Sequence, residues 1–186
     1  MKKLYLLFII ISVLIAPIIG SCQLVASETF SEIVELHFQR VDLDEAKNTI
    51  GISVPVPSYL PKKYEIQEIY LDDGWVRMLI SDQSIDKELV THTDAAGTRQ
   101  RYEVQCKMTF SVRWWEAGAP PVRLPVEQVR INGSTAYLLE KEGRNVLWWN
   151  WQPDNSNSGM FELVLEANRK ISKKELIKVA ESIETK

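Results

Sequence analysis

Between Arg101 and Trp115 the chain reads RYEVQCKMTFSVRWW, and every even position, Tyr102, Val104, Cys106, Met108, Phe110, Val112 and Trp114, is apolar. The odd positions are polar up to Trp115. A two-residue period sustained this long belongs to a strand buried on one face and wet on the other, because a helix would scatter the same side chains around its circumference. At ~3.3 Å per residue such a strand outruns the usual length, so a bulge or bend is expected, and the aromatic end from Val112 to Trp115 is the expected place for it. The chain is therefore organised around a long antiparallel strand.

Composition narrows the setting. The 186 residues, 45% hydrophobic and 25% charged, suit one globular domain. The formal net charge is -3, and without Lys2 and Lys3 of the N-terminal segment 20 basic residues face 25 acidic ones, a net of -5. An acidic domain with no basic stripe cannot neutralise a phosphate backbone, which sets nucleic acid aside as a partner.

Residues 1–22, MKKLYLLFIIISVLIAPIIGSC, place two lysines before an apolar run and small residues before a cysteine, the layout of a secretory leader. The run from Leu4 to Ile19 is 16 residues, short of the ~20 a helix needs to cross the hydrocarbon core. The tetrad Ile19, Gly20, Ser21, Cys22 resembles the lipobox of bacterial lipoproteins, with glycine at its second position a departure from the usual alanine or serine. That resemblance implies a signal peptide over 1–21 and a lipid on Cys22, which would anchor the protein to a membrane. Cleavage near Ala26 to give a secreted protein, or retention of the run through Ala26 as an anchor, are the competing readings. All three put the rest of the chain outside the cytoplasm, since the lysines hold the N-terminus inside. With Cys22 modified, Cys106 has no disulfide partner, and its place on the apolar face marks it as a small core side chain.

Residues 22–41 form a segment next to the anchor, where Val34, Leu36 and Phe38 suggest a short strand and helical spacing fits almost as well. The domain proper is residues 42–186. Asp42, three residues before Glu45, opens a helix over Leu43 to Ile50, and Gly51 stops it. Prolines at 55, 57 and 61 make a stiff connector. Tyr64 to Leu71 and Trp75 to Ser81 flank a turn of Asp72, Asp73 and Gly74. Residues 82–100 lack an apolar period and are expected as the least ordered connection, with a helical turn around Asp86 to Val90. After the crossing EAGAPPVRLP, Val126 to Ile131 and Ser134 to Leu139 flank Asn132 and Gly133, the pair suited to a type I′ turn. That turn sets Ile131 opposite Ser134 and Val129 opposite Ala136. It also explains Asn132, Gly133, Ser134 better than a glycosylation sequon does. Glu142 and Gly143 reverse the chain into NVLWWNW, and PDNSNSG leads to MFELVLE, where Phe161, Leu163 and Leu165 share a face. A last helix starts at the Ser172 and Glu175 capping pair and carries Leu176, Ile177, Val179, Ala180 and Ile183 as its apolar stripe. About seven strands with one helix before and one after describe an α+β fold, an antiparallel sheet with both helices packed on one face.

In their order, DLDEAKNTIGISVPVPSYLPKKYEIQEIYL, the alternating strand, VRINGSTAYLL, VLWWNW, FELVLE and ISKKELIKVAESI resemble the bacterial envelope domain known as domain of unknown function 4367. The resemblance spans about residues 40–184 and implies an exported or membrane-anchored protein with no catalytic residues to carry over.

Chemistry-bearing motifs are sparse. His37 and His92 lie far apart with no acid at ligand spacing, and HExxH, CxxC, GxSxG and a glycine-rich phosphate loop are missing from the sequence, so no metal or cofactor is expected. Residues 154–159, DNSNSG, imitate half of a calcium loop, but the twelfth position is Leu165 where a bidentate acid is needed. The aromatic stretch 146–151, VLWWNW, puts Val146 and Trp148 on one face and Leu147, Trp149 and Trp151 on the other. Either both faces are covered, or Trp149 and Trp151, with Trp114 and Trp115, form an exposed platform for a ligand. The expectation is a non-enzymatic lipoprotein domain that binds a partner protein or an apolar ligand between sheet and helices. An enzyme acting on an envelope polymer, or a glycan-binding module using exposed tryptophans, is the alternative.

Overall fold

Turn chemistry decides much of the strand pairing. In the computed structural model, which describes residues 29–35, 37–72, 74–115, 126–153 and 160–184, with backbone alone at Asp94 and Trp115, Asn132 and Gly133 adopt φ of 48° and 86°. Ile131 pairs with Ser134 and Val129 with Ala136, as the two-residue turn requires. Glu142 (φ 52°) and Gly143 (φ 77°) turn the next hairpin in the same way, pairing Lys141 with Arg144. Cys22 and the leader, the crossing at 116–125, and the calcium-like loop at 154–159 lie outside the described residues.

Eleven strands are described: β1 (Phe30–Glu35), β2 (Gln39–Val41), β3 (Glu65–Asp72), β4 (Trp75–Ser81), β5 (Asp86–Asp94), β6 (Gly97–Cys106), β7 (Met108–Trp115), β8 (Glu127–Ile131), β9 (Ser134–Lys141), β10 (Arg144–Trp151) and β11 (Met160–Asn168). Helix α1 is Leu43–Ile50 and α2 is Lys173–Glu181. The strands make two antiparallel sheets, a large one in the order β2-β3-β4-β7-β11-β10-β9-β8 and a small one in the order β1-β6-β5. This is an antiparallel α+β fold that corrects the expected one in two respects. There are two sheets where about seven strands in one were expected, and two strands precede α1, which is therefore not the first element.

The organising strand is cut at Lys107, earlier than the expected Val112 to Trp115. Before the cut, Val104 and Cys106 pack with Phe30, Val34, Tyr70 and Leu79 in a core between the sheets. Beyond it, Met108, Phe110 and Val112 join the core beneath the helices, with Leu163, Leu165, Leu176 and Val179. One parity serves two cores, so the alternation continues unbroken while the chain steps from one layer to the other. Because the small sheet covers the second face of the large one, the odd face of β7 is not wet: Thr109 and Ser111 are buried. Lys107, buried at the step, holds Asp82 at 2.9 Å.

Residues 82–100 correct another expectation. From Asp86 onwards they belong to the β5–β6 hairpin, in which Leu89 pairs with Tyr102 and Thr93 with Thr98, and not to an unordered connection or a helical turn. Strand β1 spans only Arg101 to Cys106 of β6, so the rest of the hairpin projects as two strands.

Both helices begin with a side-chain cap. Asp42 Oδ1 accepts from the Glu45 N–H at 2.8 Å, and Ser172 Oγ from the Glu175 N–H at 3.2 Å. Helix α2 packs on β8, β10 and β11 through Leu176, Val179 and Ala180, and α1 adds Ala46 to the same core. The proline-bearing connector pins the end of α2, with Ser58 Oγ donating to the Ser182 carbonyl at 2.8 Å and Pro57 bridging Ile183. Asn132 Nδ2 donates to the carbonyls of Glu181 and Ile183, both at 3.1 Å, so this asparagine ties a turn to a helix end.

Charge fastens β1 to the large sheet. Glu32 meets Arg77 at 2.8 Å and Arg144 at 3.3 Å, and Arg144 also holds Glu166 at 3.0 Å. The two guanidinium groups donate to the carbonyls of Ile33 (3.1 Å) and Ser31 (2.6 Å). Burial raises the Glu32 carboxyl above its ordinary range against the pull of the arginines. No helix among the described residues is long and apolar enough to cross a membrane.

Candidate functional site

The open side of the molecule follows from a row of residues across the end of the large sheet. Trp114 of β7 pairs with Phe161 of β11, which pairs with Trp151 of β10. Trp114 meets Phe161 edge to face, centroids 5.2 Å apart at 87°, and Trp151 lies 5.8 Å from Phe161 at 42°. Exposure falls steeply along the row, from 40% at Trp114 to 3% at Phe161 and 8% at Trp151. On the other side of Trp114 stands Gly74, whose carbonyl accepts from the Trp114 N–H at 3.1 Å. Its φ of 74° is one that other residues rarely adopt, so the β3–β4 turn places a residue without a side chain beside the tryptophan.

The space this leaves is a crevice of about 510 Å³, within the range of small-ligand sites. Its apolar lining is Trp114, Phe161, Leu71 and Ile50. Its polar lining is His37, Gln39, Asp72 and Thr49, the last two residues of α1, Thr49 and Ile50, closing one end. His37 Nε2 lies 3.6 Å from Asp72 Oδ1, with the imidazole two-thirds exposed and the carboxylate about one-third. His37 also sets its ring edge-on to Phe38, 4.9 Å away.

His37, Asp72 and Thr49 are residue types from which a hydrolytic relay could be drawn, but the geometry argues otherwise. A gap of 3.6 Å is too long for the hydrogen bond that would orient the imidazole, and the Thr49 hydroxyl donates to the Glu45 carbonyl of its own helix at 2.9 Å. The described lining offers an aromatic wall, apolar side chains and a partly exposed carboxylate. A second cavity of about 410 Å³, between α1 and the connector, is lined by Lys47, Ser53, Val56 and Glu184 among others and has no aromatic side chain in its described lining. No group of three or more His, Cys, Asp or Glu among the described residues could hold a metal ion.

Of the tryptophans picked out in the sequence, the structure puts Trp114 on the crevice and Trp151 behind Phe161. Trp149 stacks on Phe110 at 6.4 Å in the core under the helices, only 3% exposed. The Trp115 side chain lies outside the described residues. Both faces of β10 are covered, Trp148 on the second face stacking on Tyr137 at 4.4 Å, so β10 offers no exposed platform. The physical reason is position: β10 is an interior strand with α2 over one face. The contributions of His37, Asp72 and the end of α1 were not foreseen, because they meet only once β2 pairs with β3, Gln39 opposite Leu71.

Fold and crevice together define a two-sheet antiparallel α+β domain with an aromatic-walled cleft at one sheet end. Residues 54–183 match the family model described as domain of unknown function (DUF4367), and the chain belongs to that family. No curated protein and no solved structure matches the chain. The match begins after β1, β2 and α1, so the crevice lies at a seam: Leu71, Asp72, Gly74, Trp114 and Phe161 come from the matched part, His37, Gln39, Thr49 and Ile50 from before it.

Proposed function

We propose that this chain is a non-enzymatic, extracytoplasmic lipoprotein domain, held to a membrane by a lipid on Cys22, that binds a partner protein or an apolar ligand in the crevice beside Trp114. The observation that carries the binding role is the exposed indole of Trp114 set on a row of buried aromatics, since a rigid, partly desolvated aromatic at a cleft is where binding energy concentrates. The leader and the Ile19 to Cys22 tetrad support the address. An enzyme acting on an envelope polymer fits less well, for the hydrogen-bonding reasons given above.

Affinity capture from membranes tests the binding role, with Trp114→Ala compared to Trp149→Ala. The first is expected to lose captured partners while its denaturation midpoint stays near that of the wild type, and the second to lose ~3 to 5 kcal/mol of stability as a core truncation does. Partners lost only in proportion to unfolded protein in both variants would remove the crevice from consideration. The anchor has its own test: radiolabelled palmitate should enter the wild type and not a Cys22→Ser variant, and equal labelling would refute it.

A further inference from the structure

We infer that the crevice takes a cation carried on an apolar stem, the arginine side chain of a partner polypeptide. The inference rests on the reading that the crevice is a binding site and adds the chemistry of its occupant. Three features converge on it. First, Asp72 is the carboxylate of the lining, and neither lysine nor arginine appears among the described lining residues. Second, α1 ends at the crevice, with Thr49 and Ile50 of its last turn in the lining, so the negative end of its dipole borders the same space. Third, the wall is Trp114, the aromatic whose face attracts a cation most strongly, backed by Phe161. An anionic ligand would meet unfavourable potential from both the carboxylate and the helix end. A wholly apolar one would bury Asp72 without compensation.

His37 supports the same conclusion. Its ring already stands 3.6 Å from Asp72, yet it is two-thirds exposed and outside hydrogen-bond distance, so it leaves the carboxylate open to a better donor. A guanidinium group offers that donor together with a planar surface for the indole and an aliphatic stem for Leu71 and Ile50.

The test uses the full chain in detergent micelles, with the Trp114 indole N–H resonance assigned through Trp114→Phe. N-acetylarginine amide is titrated beside N-acetylcitrulline amide, which has the same stem and a neutral head. The arginine probe is expected to move the Trp114 resonance saturably, the citrulline probe to bind about tenfold more weakly, and Asp72→Asn to abolish the difference. Equal binding of the two probes, or an Asp72→Asn protein that still prefers arginine, would overturn the cation and leave the crevice as a binding site. If neither probe moves the resonance in a folded protein, both the cation and the crevice reading fall.

Discussion

Cys106 ends β6 fully buried between the two sheets, and burial, with the Glu32 carboxylate second, pushes its thiol up to about 12. A thiolate is the reactive species, so this cysteine is inert at neutral pH in the folded protein. In a Cys22→Ser variant, Ellman's reagent should label no thiol in buffer and one in denaturing urea, and rapid native labelling would show that the interface between the sheets opens. Four residues further on, Phe110 is fully buried, and Phe110→Ala should cost ~3 to 5 kcal/mol in a urea titration. Thr109 would cost little on a wet face, but at 3% exposure it lies under the small sheet, and Thr109→Ala is expected to cost ~1 to 2 kcal/mol. A change within the ~0.5 kcal/mol typical of surface substitutions would mean that the small sheet does not cover this strand.

Elements set by local chemistry were legible in the sequence. Asp42 with Glu45, Ser172 with Glu175, and Asn132 with Gly133 each act within four residues, and each does in the structure what its spacing implied. Strand β5 and the outer end of β6, Gly97 to Gln100, were not legible, because strands wet on both faces have no apolar period to show. Their remaining signals were the β-branched run Val90, Thr91 and Thr93 and the turn at Ala95 to Gly97, where φ is 119° at the glycine. Nor was the step at Lys107 legible, since the parity of buried positions is the same on both sides of it. Towards the tip, the described strand pairing is between β5 and β6 alone, as β1 reaches only Arg101. Replacing Thr93 to Thr98 by Asn-Gly, which keeps His92 opposite Arg99, should therefore shift stability by less than ~1 kcal/mol. A larger loss in chemical denaturation would mean that the tip packs against something more than its own partner strand.

At the scale of the whole molecule, two sheets are joined through a charged seam, and the balance within that seam is testable by pH. Glu32 lies between Arg77 and Arg144, whose guanidinium groups also satisfy the carbonyls of Ser31 and Ile33. Two effects oppose each other at this carboxyl: burial disfavours the ionised form, and the arginines favour it. Burial is the larger, so the folded protein holds the Glu32 proton more tightly than the unfolded chain does. The sign of the linkage follows: the contribution of Glu32 to stability is fully present below its ordinary carboxyl value of 4.5 and is lost as pH rises through the raised folded value. Asp82, held low first by the hydrogen bond from Lys107, has the opposite sign and loses its contribution as pH falls below the ordinary aspartate range. A Glu32→Gln variant has no proton to release at this site, so it isolates the first effect from the second. Urea denaturation of both proteins from pH 4 to pH 7 should show the stability of the wild type, relative to Glu32→Gln, falling as pH rises. A difference that grows with pH would mean that the attraction of the two arginines outweighs the burial of the carboxylate, and the seam would then act as an ionic clasp that tightens on deprotonation.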